Sequence, residues 1–253
     1  MTLYLYAALF LVWIAFKRLL KLNVAFTSTT IVASAFLLAF LVNARTSNAQ
    51  LIPHLLGNYT LSEVPLAIKF PKAGLGLNIP ANFVDRPKAA AASLEHSSLL
   101  LMAQLPDITG RNVENNQAFG RTTASGDNPL ITILLQDKRE TGWDLAAVSS
   151  AYEHNYQEYT YAKLGEVFGL QGRRQVPPSV GRWRWKNIYR KEVKGHLLTS
   201  VICDGTGTVP YPRCDHLFLY KNIIVKLNFN ARSLKSWVYI EANVRNKLES
   251  WER

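Results

Sequence analysis

His154 and Glu158 stand four positions apart on a segment with helical spacing, with Glu153 beside them. Residues at that interval share one helix face, so the trio has the beginnings of a metal site. Zinc takes three or four ligands, yet no second histidine lies within a turn and no cysteine pair has metal spacing. We read the trio as a solvated polar helix face and expect no metal. Cys203 and Cys214, the only cysteines, bracket the ten residues DGTGTVPYPR, and His216 follows two positions on. A thiolate beside an imidazole is a nucleophile, but an oxidised pair has no thiolate to offer. Two cysteines allow one pairing, and the exported location argued below favours it. A disulfide is therefore expected, worth about 2–3 kcal/mol for so short a loop. Gly205-Thr206-Gly207 resembles a phosphate cradle, which needs a helix N-terminus and usually a lysine after it. Val209, Pro210 and Pro212 follow instead, so we read a hairpin loop. No Gly-x-Ser-x-Gly motif occurs. The residues offer no catalytic set and call for no cofactor.

A second constellation mixes cations with aromatics. It runs from Arg173-Arg174 through Arg182-Trp183-Arg184-Trp185-Lys186 to Tyr189-Arg190-Lys191. Such a mixture suits base stacking and phosphate contact, although an exported domain seldom meets nucleic acid, and none is expected here. Alternation along a strand would turn Arg182, Arg184 and Lys186 to solvent and Trp183 and Trp185 inward. The alternative is a basic docking surface for an acidic protein or anionic headgroups.

The elements that must carry these residues divide sharply. Residues 1–50 contain no acidic residue and only Lys17, Arg18, Lys21 and Arg45 as cations. Residues 1–21 form a first apolar segment ending in that basic cluster, and 22–44 form a second uncharged one. Spanning a bilayer takes about 20 apolar residues. The second stretch qualifies outright, and the first does if Lys17 and Arg18 snorkel. Positive residues stay cytoplasmic, so the cluster at 17–21 puts both termini outside. The other reading makes the second segment a signal peptide, with cleavage after Ala44 or Ala49. Both export the rest. Residues 51–253 hold all 18 acidic residues and 25 of the 29 basic ones, a net excess of seven positive charges.

Residues 45–65 lack periodicity and read as a tether to a domain at 66–253. Leu66–Phe70 and Leu75–Ile79 are short strands punctuated by Pro71, Gly74 and Pro80. DRPKAAAAS reads as a loop or short helix. An apolar run follows at Leu99–Leu105, and LITILL at 130–135 reads as a strand buried on both faces. Asp144 caps a predicted helix bearing Leu145, Val148, Tyr152, Tyr156 and Tyr159. Gly165 to Gly172 is punctuated. Then Trp183–Lys191, His196–Cys203, Asp215–Tyr220 and Ile223–Phe229 read as a four-stranded antiparallel meander, with Lys221-Asn222 as a two-residue turn. Leu234, Trp237, Val244, Leu248 and Trp251 make the apolar stripe of a closing helix, with Ser233 as its N-cap. The fold class is α+β: an antiparallel sheet covered by a C-terminal helix.

Three stretches carry a resemblance: LGLNIPANFVD; LLLMAQLPDITGRNVEN with the strand ITILL; and CDGTGTVPYPRCDHLFLYKNIIVKLNF leading to LKSWVYIEANVRNKLESW. In patches over residues 75–251 the chain resembles exported, membrane-tethered immunity proteins found beside toxic effectors of type VI secretion. The resemblance implies a non-enzymatic protein whose periplasmic domain neutralises an effector by occlusion. The apolar segments within residues 2–44 would anchor it in the bacterial inner membrane, where family members often carry a lipoprotein signal instead. The basic excess favours an effector with an acidic surface. Tyr211 and Arg213, on the bracketed loop 204–213, are the expected contacts, with Arg182 and Arg184 beside them, since tyrosine and arginine are enriched among interface hot spots. Two other classes stand beside this one: a structural subunit of an envelope or secretion complex, and an enzyme acting on cell wall or lipid.

Overall fold

The computed structural model describes residues 60–120, 129–137, 144–153, 159–177 and 185–253. Both expected membrane segments, the tether up to residue 59, and Tyr156, His154, Glu158, Arg182, Trp183 and Arg184 lie outside these residues. Among the described residues no helix is long and apolar enough to cross a membrane.

The domain is α+β. A hairpin of β1 (Pro65–Phe70) and β2 (Leu75–Pro80) precedes an eight-stranded antiparallel sheet. Its strands are β3 (Ser98–Gln104), β4 (Leu130–Asp137), β5 (Thr160–Val167), β6 (Leu170–Val176), β7 (Lys186–Val193), β8 (His196–Asp204), β9 (Arg213–Tyr220) and β10 (Ile223–Asn230). The spatial order is β3-β4-β10-β9-β8-β7-β6-β5. From β5 to β10 each strand pairs with the next, so the meander has six strands. The sequence showed four of them. The missing pair, β5 and β6, occupies the stretch read as punctuation. Gly165 (φ +77°) follows a register shift at Lys163, and Gly169 (φ +78°) makes the turn into β6. Glycine tolerates positive φ without steric cost, so residues that looked like breakers serve as a bulge and a turn.

Among the described residues there are four helices: α1 (Pro87–Ala91), α2 (Asn116–Gly120), α3 (Leu145–Tyr152) and α4 (Trp237–Ser250). Asp144 caps α3 as expected, its Oδ1 accepting from Ala147 N at 2.7 Å. The helix ends at Tyr152, and Tyr159 is instead buried at the entrance to β5. Ser233 is not the cap of the closing helix. A 3₁₀ turn, Ala231–Ser236, comes first, and Asn230 caps it by accepting from Arg232 N at 2.9 Å.

Strand alternation sends successive side chains to opposite faces. On one face Val201, Phe218, Val225, Leu227 and Phe229 pack under α4 together with the β1–β2 hairpin. From α4 and the turn before it come Leu234, Trp237, Ile240, Val244, Leu248 and Trp251. This matches the predicted stripe, with Ile240 added. The other face is smaller: Ile188, Ile202, Leu217 and Ile224 lie under Leu145 and Val148 of α3. β4 was expected to be buried on both faces. Ile131, Ile133 and Leu135 are buried, but Thr132 and Leu134 on the opposite face are only half-buried.

The C-terminus is tied in. Asn78 N donates to Trp251 O at 2.6 Å, Arg253 N donates to Gly76 O at 3.3 Å, and Glu252 accepts from Tyr220 and Lys221. That last contact anchors the Lys221-Asn222 turn, where Tyr220 pairs with Ile223 across two residues as predicted.

Candidate partner-binding surface

Cys203 and Cys214 are cross-strand partners of β8 and β9, with Cα atoms 4.0 Å apart, and form a disulfide. Both are buried, so the bond belongs to the core under α4 as much as to the loop it closes. Asp204 Oδ2 accepts from Arg213 N at 3.0 Å across the loop's neck. Gly205 N donates to Trp185 O at 2.9 Å. A Cβ at Gly205 would lie 2.2 Å from the Trp185 indole nitrogen, so any larger residue here would force the indole to move. The loop is thus a hairpin connection clamped at its base. No helix follows it, and nothing in it is arranged as a phosphate cradle.

The expected contacts separate. Tyr211 is 46% exposed on the loop. Arg213 is half-buried on β9, its Nε donating to Asn228 Oδ1 and its Nη2 to Asn228 O at 3.0 Å. Burial draws its pKa down against the opposing pull of Asp215 and Asp204. Arg182 and Arg184 lie outside the described residues. The remaining cations of the basic run divide too. Arg173 and Arg190 turn to Glu153, Lys186 lies 3.8 Å from Asp204, and Lys191 is exposed.

Glu153 is not part of a solvated helix face. Its side chain is fully buried, accepting from Arg173 Nη2 at 2.7 Å and from Arg190. Its backbone carbonyl accepts from Gln175 Nε2 at 2.6 Å. One turn earlier, Ser149 Oγ donates to Ser200 Oγ at 2.7 Å. These bonds satisfy the polar groups that α3 buries against β6, β7 and β8, as buried polar groups require. Glu153 therefore locks α3 to the sheet. Among the described residues no three His, Cys, Asp or Glu side chains gather as a metal site would need.

The sheet's other face holds a cluster that spacing did not reveal. His216 of β9 is fully buried, with Nε2 2.7 Å from Thr199 Oγ1 and 2.9 Å from Glu241 Oε2 on α4. Arg245 Nε donates to Glu241 Oε1 at 2.8 Å, and its guanidinium sits 4.5 Å over the Phe218 ring. Burial by itself would raise the Glu241 pKa, but His216 and Arg245 outweigh it and hold the carboxyl below its ordinary value. A threonine, a histidine and a glutamate in contact invite comparison with a catalytic relay. In a relay the carboxylate orients one ring nitrogen while the other takes the hydroxyl proton. Here hydroxyl and carboxylate share Nε2, which must carry a proton to face a carboxylate. Nδ1 has no hydrogen-bond partner among the described residues, and the ring packs 5.3 to 6.2 Å from Phe218, Trp237 and Phe229. The geometry pins α4 to the sheet and cannot activate the hydroxyl.

Above this cluster lies a groove of about 410 Å³. Its apolar wall comes from Leu197 and Leu198 at the start of β8, Leu219 near the end of β9, and Trp237, Val238 and Ala242 of α4. Lys191, Glu241 and Arg245 supply its charges. Only proximity in the fold joins these elements, so no sequence motif marks the groove.

No family model matches the chain, and no curated protein matches it by sequence. Two solved structures resemble it. One is Smlt3025, an immunity protein of the Stenotrophomonas maltophilia type IV secretion system, with TM-score 0.55 and 17% identity over 76% of this chain and 94% of that one. The other is the Neisseria meningitidis iron-regulated outer membrane lipoprotein FrpD, with TM-score 0.46 and 10% identity over 77% and 96%. The expected type VI association finds no counterpart in either. The first likeness establishes the fold alone: this chain shares the architecture of Smlt3025.

Proposed function

We propose that this protein is the immunity partner of a secreted toxic effector, binding it and covering its active surface without turning over a substrate. The fold shared with Smlt3025 carries the reading. Supporting it, the one constellation of described residues with the composition of a relay has the wrong geometry for one. A stapled, clamped domain also suits occlusion, because a rigid binder loses little conformational entropy on association. In this reading residues 2–44 anchor the chain in the bacterial inner membrane and the domain faces the periplasm. The target is an effector with an acidic surface, of a type VI or related secretion system.

The test is protection in living cells. The products of the genes flanking this one are each exported to the periplasm of a sensitive strain, with or without this protein. Survival only when the protein is present is the expected result. Killing that proceeds equally in both strains would end the reading.

A further inference from the structure

We propose that the groove between β8, β9 and the first turns of α4 is the surface that grips the effector, receiving an apolar side chain flanked by carboxylates. This rests on the immunity reading and locates its binding site.

Three observations carry it. First, three exposed large aliphatic side chains gather in one groove: Leu198 is 46% exposed, Leu219 39% and Val238 59%, and all three line it. Scattered exposed hydrophobics are ordinary, but a concave cluster is what an inserted anchor residue requires. Second, the charge of the rim is one-sided. Both oxygens of Glu241 are already engaged, Oε1 by Arg245 and Oε2 by His216. Glu241 and Arg245 neutralise each other, with Arg245 Nη2 also 2.7 Å from Oε1, so the charge left to face a partner is that of exposed Lys191. Carboxylates beside the inserted side chain complement it. Third, α4 carries the surface onward. Tyr239, next to Val238, is 53% exposed and borders a second hollow with Asn243, Asn246 and Ser250, where Asp107 and Lys247 balance in charge. An apolar centre with a rim of hydrogen-bonding groups is the anatomy of a protein interface. An acyl chain would not match that amide-rich rim. The His216 cluster gives the surface its stiffness, since it fixes the helix turn bearing Val238 and Glu241 to the sheet beneath.

The disulfide loop is the competing site, and the experiment separates them. The full-length protein is purified in detergent and its affinity for the neighbouring toxin is measured for wild type, Val238→Glu, Leu198→Asp, Tyr211→Asp and Leu94→Glu. Leu94 is 57% exposed and serves as the matched control away from the groove. All four variants are judged only where thermal melting matches wild type. That condition should hold, because each altered side chain is solvent-facing. The groove variants should bind at least ~10-fold more weakly, and Leu94→Glu as wild type. Lys191→Glu should slow association and flatten its salt dependence. Groove variants that bind within about twofold of wild type would overturn the proposal. A loss confined to Tyr211→Asp would move the interface to the loop and overturn it as well. If wild type itself neither binds nor protects, the immunity reading fails and this surface loses its partner, an outcome distinct from the other two.

Discussion

Cys203 and Cys214 face each other across β8 and β9 in full register, so their bond closes a short loop and also ties two core strands. Cys203→Ser should lower unfolding free energy by about 2–4 kcal/mol in chemical denaturation. Free-thiol labelling of both cysteines in native, non-reduced protein would contradict the pairing. Glu241 makes a second prediction. Its folded pKa lies below the ordinary value because His216 and Arg245 favour the carboxylate over the opposing cost of burial. A depressed carboxyl contributes stability that is present above the unfolded value of about 4.3. That stability is lost as pH falls through the folded pKa. The domain should therefore weaken as pH drops below about 4.3. Glu241→Gln should be less stable at neutral pH and show a shallower acid limb. Parallel stability curves for the two proteins would refute the assignment. The cysteine pair was legible in the sequence because two residues permit one bond. The His216–Thr199–Glu241 contact was not, since its members come from β9, β8 and α4 and nothing in their spacing links them.

At the scale of elements, α4 was the most legible feature. Leu234, Trp237, Val244, Leu248 and Trp251 recur at helical intervals, and all five are buried. Trp237→Ala should cost about 3–5 kcal/mol, as it empties space between the sheet and the helix and removes the Nε1 hydrogen bond to Phe168 O at 2.9 Å. Exposed Lys235→Ala should change stability little, and equal losses in calorimetry would mean the stripe is wrongly phased. β8, β9 and β10 were legible for the same reason, being long apolar strands with a two-residue turn between the last two. β5 was illegible because its side chains are mostly exposed, from Thr160 to Lys163, and therefore show no apolar alternation. α3 was legible at its start, where Asp144 caps it, and overrun at its end. Tyr159 continued the spacing by coincidence, and it packs as part of the approach to β5.

At the scale of the whole molecule, charge asymmetry and fold make one account. The basic cluster at Lys17, Arg18 and Lys21 separates two apolar stretches, and the domain follows with seven surplus positive charges. A periplasm-dependent reporter fused after Arg253 should be active, because cations flanking membrane segments remain cytoplasmic. Activity from a cytoplasm-dependent reporter at that position would reverse the topology. The groove proposed to bind the partner was the least legible part of all. Residue type pointed to Tyr211 and Arg213, yet Arg213 is held by Asn228. The groove at Leu198, Leu219 and Val238 exists only once three distant elements meet. The central claim is neutralisation by occlusion, and a titration tests it most directly. Purified full-length protein is added stepwise to a fixed amount of the neighbouring toxin while toxin activity is followed. Occlusion predicts that activity falls linearly and vanishes near one equivalent, with both chains recovered intact in one complex. Inactivation by a small fraction of an equivalent, leaving a chemically altered toxin, would show turnover and contradict the account.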